Sequence, residues 1–183
     1  MEFKDLENLF LTRQSCRNFN PEKTPDSETL KKITELAMLS PSACNSQPWR
    51  FIVTNKKDVA QGISSATRML GRNTFTQNCT AFAVMVEDAP CFTERAGVKL
   101  TGRDFVGYDL GLACAHFVIA AEGMGVNTCI LGLFNEKEIK KLLNIPEKQS
   151  VKLVIAMGYA SDDDVIRKKI RKPYTDTCEF ILE

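Results

Sequence analysis

Residues 105–122 read FVGYDLGLACAHFVIAAE, with Asp109, His116 and Glu122 as their only strongly polar side chains. A helix that is apolar on every side cannot lie half in water, so this stretch must be a core element that the rest of the chain covers. Two further segments make the same demand. Thr80–Glu87 (TAFAVMVE) is rich in strand formers and largely apolar, which predicts a strand buried on both faces. Val151–Met157 reads as another buried strand. With 183 residues the chain can bury such a centre within one compact domain spanning 1–183.

The surrounding elements follow from pattern. A short helix is predicted over Asp5–Gln14, with Leu6, Leu9 and Phe10 on one face. A second starts near Thr24, with Pro25 in the first turn, where its missing N–H costs nothing. Leu30, Ile33 and Ala37 form its stripe before Ser40-Pro41 stops it. Trp49–Thr54 (WRFIVT) is a strand, Lys57–Leu70 a weaker helix, Val126–Leu133 a strand, and Asn135–Leu143 a helix with Asn135 and Glu138 at capping-box spacing. Residues 88–103 read as irregular, and Thr177–Leu182 as a terminal strand. Alternation alone would suggest a doubly wound parallel sheet, but the motifs point elsewhere.

A net charge of +1 gives no global field to draw the chain to nucleic acid or an anionic membrane, so any anion must be held locally. The N-terminus carries acids and lacks the basic start and apolar core of a signal peptide. Leu110–Ala121, the longest apolar run, is short for a bilayer span. Seven cysteines without a C-x-x-C pair suit free thiols in a reducing cytoplasm and argue against a structural zinc site.

Three segments carry possible chemistry. In Arg13-Gln-Ser-Cys-Arg17-Asn-Phe19, two guanidinium forks and a hydroxyl can converge on a phosphate, the alternative being a solvated helix end with Phe19 packed inside. Pro41-Ser-Ala-Cys-Asn45-Ser-Gln47-Pro48-Trp49 places small residues and amides between helix and strand. It can bring N–H groups against a flat polar heterocycle, or serve as an ordinary connection plugged by Trp49. Arg167–Pro173, after Asp162–Asp164, is a solvated charge run, a phosphate clamp or a nucleic-acid patch, the balanced overall charge disfavouring the last.

RQSCRNF, followed after one helix by PSACNSQPWRF, resembles the signature of the nitroreductase family of flavoenzymes. Asp109-Leu-Gly111, Gly123–Gly132, Met157–Ala160 and a basic Lys169-x-Arg171 continue in the family's order. The resemblance implies an α+β fold, a mostly antiparallel sheet between helices, in an intertwined homodimer whose C-terminal segment reaches the partner and whose FMN sites lie at the interface. Arg13, Ser15, Lys169 and Arg171 match positions that hold the phosphate and ribityl chain. Gln14 stands within that motif, where many relatives carry a second basic residue. Arg17 matches a basic residue near the pyrimidine end of the flavin, where it would tune the ring electronically. Pro41, Ser42, Ala43, Asn45 and Gln47 match the loop given by the other subunit, and Ile130, Leu131 and Gly132 the segment lying against one flavin face.

The implied reaction is ping-pong hydride transfer from NADH or NADPH through FMN to a small-molecule acceptor: a nitroaromatic, quinone or enone. No side-chain nucleophile or acid is assigned. Alternatives are a storage or sensor protein, or specialised chemistry such as reductive dehalogenation. Arg68, Arg72, Asn73 and Asn78 are candidates for mid-chain contact with the ring. His116 and Cys129 read as core, and Asp109 as a cap or sheet contact.

Overall fold

The computed structural model describes the backbone of residues 2–103 and 105–183. Its elements are α1 (Phe3–Thr12), α2 (Ser27–Ala37), β1 (Trp49–Thr54), α3 (Lys57–Thr67), β2 (Ala81–Glu87), α4 (Phe92–Thr101), α5 (Phe105–Gly123), β3 (Asn127–Leu131), α6 (Glu136–Leu143) and β4 (Val151–Gly158). The strands form one sheet in the order β1-β2-β4-β3, every pair antiparallel. The α+β expectation therefore holds, and alternation of helices and strands does not produce a parallel sheet here.

The two central strands, β2 and β4, are those whose sequence is near-continuously apolar, and each feeds two cores. Phe82, Val84, Val86, Val154 and Ala156 point to one face, covered by α3 and α6 through Ala60, Ile63 and Ile139. Ala81, Ala83, Met85, Ile155 and Met157 point to the other, covered by α2 and α5 through Leu30, Ile33, Ala37, Leu110 and Phe117. Successive side chains on a strand alternate faces, so two helical layers can claim the same strand. At Gly62 the helices approach closely: a Cβ there would lie 2.7 Å from Leu142 Cδ2.

Several boundaries differ from the sequence reading. α2 begins at Ser27 rather than Thr24, because Asp26 accepts the Thr29 N–H at 2.7 Å and caps it. α1 ends at Thr12, which leaves Arg13–Ser15 extended beyond it. Residues 92–101, expected irregular, form α4. Residues 177–182 form no strand. α5 is 19 residues long and apolar enough by length and composition to cross a bilayer. Its buried face against the sheet and α2 makes it a core helix.

Candidate functional site

Beyond α1 the chain does not wander off. Cys16 N–H donates to Thr128 O at 2.9 Å, and Ser15 bridges Thr128 in parallel register on the free edge of β3. Phe19 is 1% exposed and anchors this stretch in the core, while Arg13 and Ser15 stay half-buried and Arg17 exposed.

After β4 the tail returns to the same place. Arg13, Gln14 and Ser15 line a cleft of about 340 Å³ with Arg167, Lys169 and Arg171. Arg167 Nη2 donates to Ser15 O at 2.6 Å, and Lys169 Nζ to Arg13 O. Desolvation, then the neighbouring Arg13 and Arg171, push the Lys169 pKa below its usual 10.5. Like charges held together in this way suit an anion, and guanidinium forks with a hydroxyl suit the oxygens of a phosphate.

Arg17 is exposed, its Nη1 donating weakly to Ser15 O at 3.5 Å. Burial pushes the Cys129 thiol up, opposed by Arg17, the Ser15 hydroxyl and Arg167, which places those three groups around the middle of β3. On that strand Leu131 turns into the core, whereas Ile130 is 41% exposed. Ile130 joins Arg13, Phe10, Gly111, Cys114 and Val118 around an apolar cavity of about 410 Å³. Of the predicted segment 130–132, one side chain thus reaches the cavity, and at Gly132 a Cβ would meet nothing within 4 Å.

The 41–47 loop is built differently. Cys44, Asn45 and Gln47 have φ of 52°, 52° and 48°, the left-handed region that non-glycine residues avoid. Hydrogen bonds hold them there. Asn45 N–H donates to Ser42 O at 3.1 Å, and Gln47 N–H to Ser42 Oγ at 3.0 Å. Gln47 Nε2 donates to Asn45 Oδ1 at 3.1 Å, and Ser46 Oγ accepts Cys91 N–H at 2.8 Å. The buried Asp109 carboxylate takes Ala43 N–H on both oxygens at 3.1 Å. Asp109 is therefore neither a helix cap nor a sheet contact but the anchor of this loop. Pro41, Cys44, Asn45 and Gln47 remain exposed.

Among the described residues, no hydrogen bond or ion pair joins the 41–47 loop to Arg13, Ser15, Lys169 or Arg171. The loop is tied to the second turn of α5 at Asp109, whereas Arg13 follows α1, whose Leu9 lies beside Gly123 at the far end of α5; the cavity that Arg13 lines reaches back along α5 to Gly111.

Of the mid-chain candidates, Asn73 donates its amide to Thr67 O and Leu133 O at 3.1 and 3.2 Å, and Arg68 reaches Ser64 O. Asn73 thus ties the end of α3 to the segment after β3, whereas Arg68 stays on the last turn of α3. Asn78 lines a separate polar cavity with Glu22, Asn55 and Gln77. Cys129 is buried, as expected, and His116 is half-buried. Cys16, Cys44, Cys79, Cys114, Cys129 and Cys178 are free thiols.

Known proteins agree with this architecture. The family model described as "Nitroreductase family" matches residues 11–159. A protein of Archaeoglobus fulgidus, provisionally named NADH dehydrogenase/NAD(P)H nitroreductase, is 30% identical across 85% of both chains. An oxygen-insensitive NADPH nitroreductase of Helicobacter pylori is 24% identical, covering 99% of this chain and 100% of its own. The solved FMN-dependent nitroreductase of Clostridium difficile superposes with a TM-score of 0.73 at 23% identity, over 94% of this chain and 96% of its own. With sheet, helical layers and ordered motifs all in agreement, the chain belongs to the nitroreductase family and is an enzyme of that reductase class.

Proposed function

We propose that the chain is one FMN-binding domain over residues 1–183, working as a cytoplasmic homodimer that oxidises NADH or NADPH and reduces a nitroaromatic, quinone or enone. The observation that carries this reading is the cleft of Arg13, Ser15, Lys169 and Arg171, whose crowded cations call for a phosphate. FMN, when bound, supplies the hydride chemistry. Arg13, Ser15, Lys169 and Arg171 hold its phosphate, and Arg17 offers positive charge at the pyrimidine end, where reduction adds electron density. Ile130, Leu131 and Gly132 border one face, Ile130 by its side chain.

Pro41, Ser42, Ala43, Asn45 and Gln47 serve the partner's cleft: Pro41, Asn45 and Gln47 are exposed, and among the described residues no hydrogen bond ties this loop to Arg13, Ser15, Lys169 or Arg171. Large exposed apolar side chains support the dimer: Phe3, Phe10 and Leu11 on α1, Tyr108 and Leu112 on α5, Phe180 and Ile181 in the tail. A single open face admits nicotinamide and acceptor in turn, which predicts parallel lines in double-reciprocal plots. Denaturing the purified protein and chromatographing the released cofactor should give FMN. FAD, or no uptake of added FMN, would refute the reading.

A further inference from the structure

The acidic triplet before the basic tail is not simply solvated. Each carboxylate faces a different residue of the loop after α1. Asp162 pairs with Lys23 at 3.4 Å, Asp163 accepts from Asn18 Nδ2 at 2.8 Å, and Asp164 accepts from Gln14 Nε2 at 3.2 Å. The third of these stands apart, since the Asp164 side chain is only 8% exposed. It also faces Arg167 Nη1 at 3.5 Å and the Cys16 thiol at 3.8 Å.

Gln14 completes the arrangement. Its Nε2 donates a second time, to Val165 O at 3.1 Å, while its Oε1 accepts Arg167 N–H at 3.0 Å. Turning the amide over would set oxygen against a carboxylate and a carbonyl, so the chemistry fixes its orientation. Both ends of the amide are thus committed to the tail.

We propose that Gln14 and Asp164 form a clasp that positions Arg167–Arg171 over Arg13 and Ser15, and so sets the affinity for a phosphate neither residue touches. The inference rests on the FMN reading above and reassigns Gln14 from ligand to positioning residue. A glutamine suits this place because a cation would meet the Arg167 N–H, whereas an amide serves the acceptors and that donor together.

The test uses apo-protein titrated with FMN and, separately, with riboflavin, which lacks the phosphate. Gln14→Leu and Asp164→Ala should each weaken FMN about tenfold to a hundredfold and leave riboflavin within about twofold. Asp164→Ala gives a difference of sign. Removing a negative charge beside a phosphate site would by electrostatics alone tighten FMN, whereas loss of the clasp weakens it. In the apo-protein, tryptic cleavage within residues 167–172 should accelerate in both variants. Unchanged or tighter FMN binding in Asp164→Ala, or equal losses for both flavins, would overturn the clasp. Wild-type protein that binds neither flavin would overturn the FMN reading instead, and unaccelerated cleavage would remove the clasp independently of any flavin.

Discussion

Replacing Asp109 with leucine removes one carboxylate and, with it, the anchor of a strained loop. Left-handed backbone costs roughly 1–2 kcal/mol at a residue such as Cys44 or Gln47 and less at asparagine, so the segment stores about 3 kcal/mol. The two N–H bonds to Ser42 return about 1 kcal/mol each. The remainder falls to Asp109, whose charged acceptor is worth about 1.5–3 kcal/mol to the Ala43 N–H. Without it the loop is close to balance between ordered and open forms. The predicted loss is about 2 kcal/mol, or ~30-fold in the opening equilibrium.

Global melting is the weaker readout. The introduced leucine would sit among Leu110, Ala113 and Phe117, and its added apolar contact offsets part of the loss. Hydrogen exchange resolves the two effects, because the amides of Ala43, Asn45 and Ser46 report the loop alone. They should exchange ~30-fold faster in Asp109→Leu, with Asp109→Asn between it and wild type, while amides of β2 and β4 keep their protection. Exchange at Ala43 and Asn45 within about twofold of wild type would refute the anchoring role.

Glycine at position 44 should act in the opposite direction. Cys44→Gly relieves a φ of 52° and is expected to stabilise by about 1 kcal/mol, read as a Tm increase of roughly 2–4 °C. For Lys169, whose pKa lies below 10.5, the unfolded chain holds the proton more tightly. Stability of the apo-protein should therefore rise with pH from the depressed value up to 10.5. Lys169→Met should be at least as stable as wild type at pH 7 without anions, yet gain less from added inorganic phosphate. Finally, Arg171→Ala should lower FMN affinity ~30-fold to a few thousand-fold, from roughly 2–5 kcal/mol. Exchanging its subunits with those of Asn45→Ala should restore near wild-type sites in half the clefts of the mixed dimers. Mixed dimers confirmed by mass spectrometry but lacking such sites would exclude an interfacial cleft.

What could be read from the sequence was whatever depends on neighbours in the chain. β2, β4 and α5 are largely apolar and proved central. The stripe Leu30, Ile33, Ala37 lies on the buried face of α2. α4 escaped because FTERAGVKLT shows no clear apolar period and carries a glycine at its centre, and its Phe92 and Leu100 are exposed. Thr177–Leu182 has strand-like composition, but a strand exists only where an edge accepts it. None of the described residues does so within this chain. The candidate site divides in the same way. Arg13, Ser15 and the small-residue loop are legible as local motifs. Asp109 holds Ala43 across 66 positions and Gln14 meets Asp164 across 150, separations that no local pattern encodes.

A second kind of feature that no local pattern encodes is the surface one chain leaves uncovered. α1 buries none of its residues fully, although Phe3, Phe10 and Leu11 are large and apolar. Covering a phenylalanine or leucine contributes about 1.5–3 kcal/mol, so burying α1, Tyr108, Leu112 and the end of the tail would contribute roughly 10 kcal/mol. That is comparable to the roughly 4–15 kcal/mol cost of association. In the proposed dimer Lys169 and Arg171 lie between two fixed points, the Gln14–Asp164 contact on one side and the Phe180–Leu182 segment docked on the partner on the other. A tail held at one end only would let those cations swing away from Arg13 and Ser15. Separation of the subunits and release of FMN should then be a single event, because the same segment secures both.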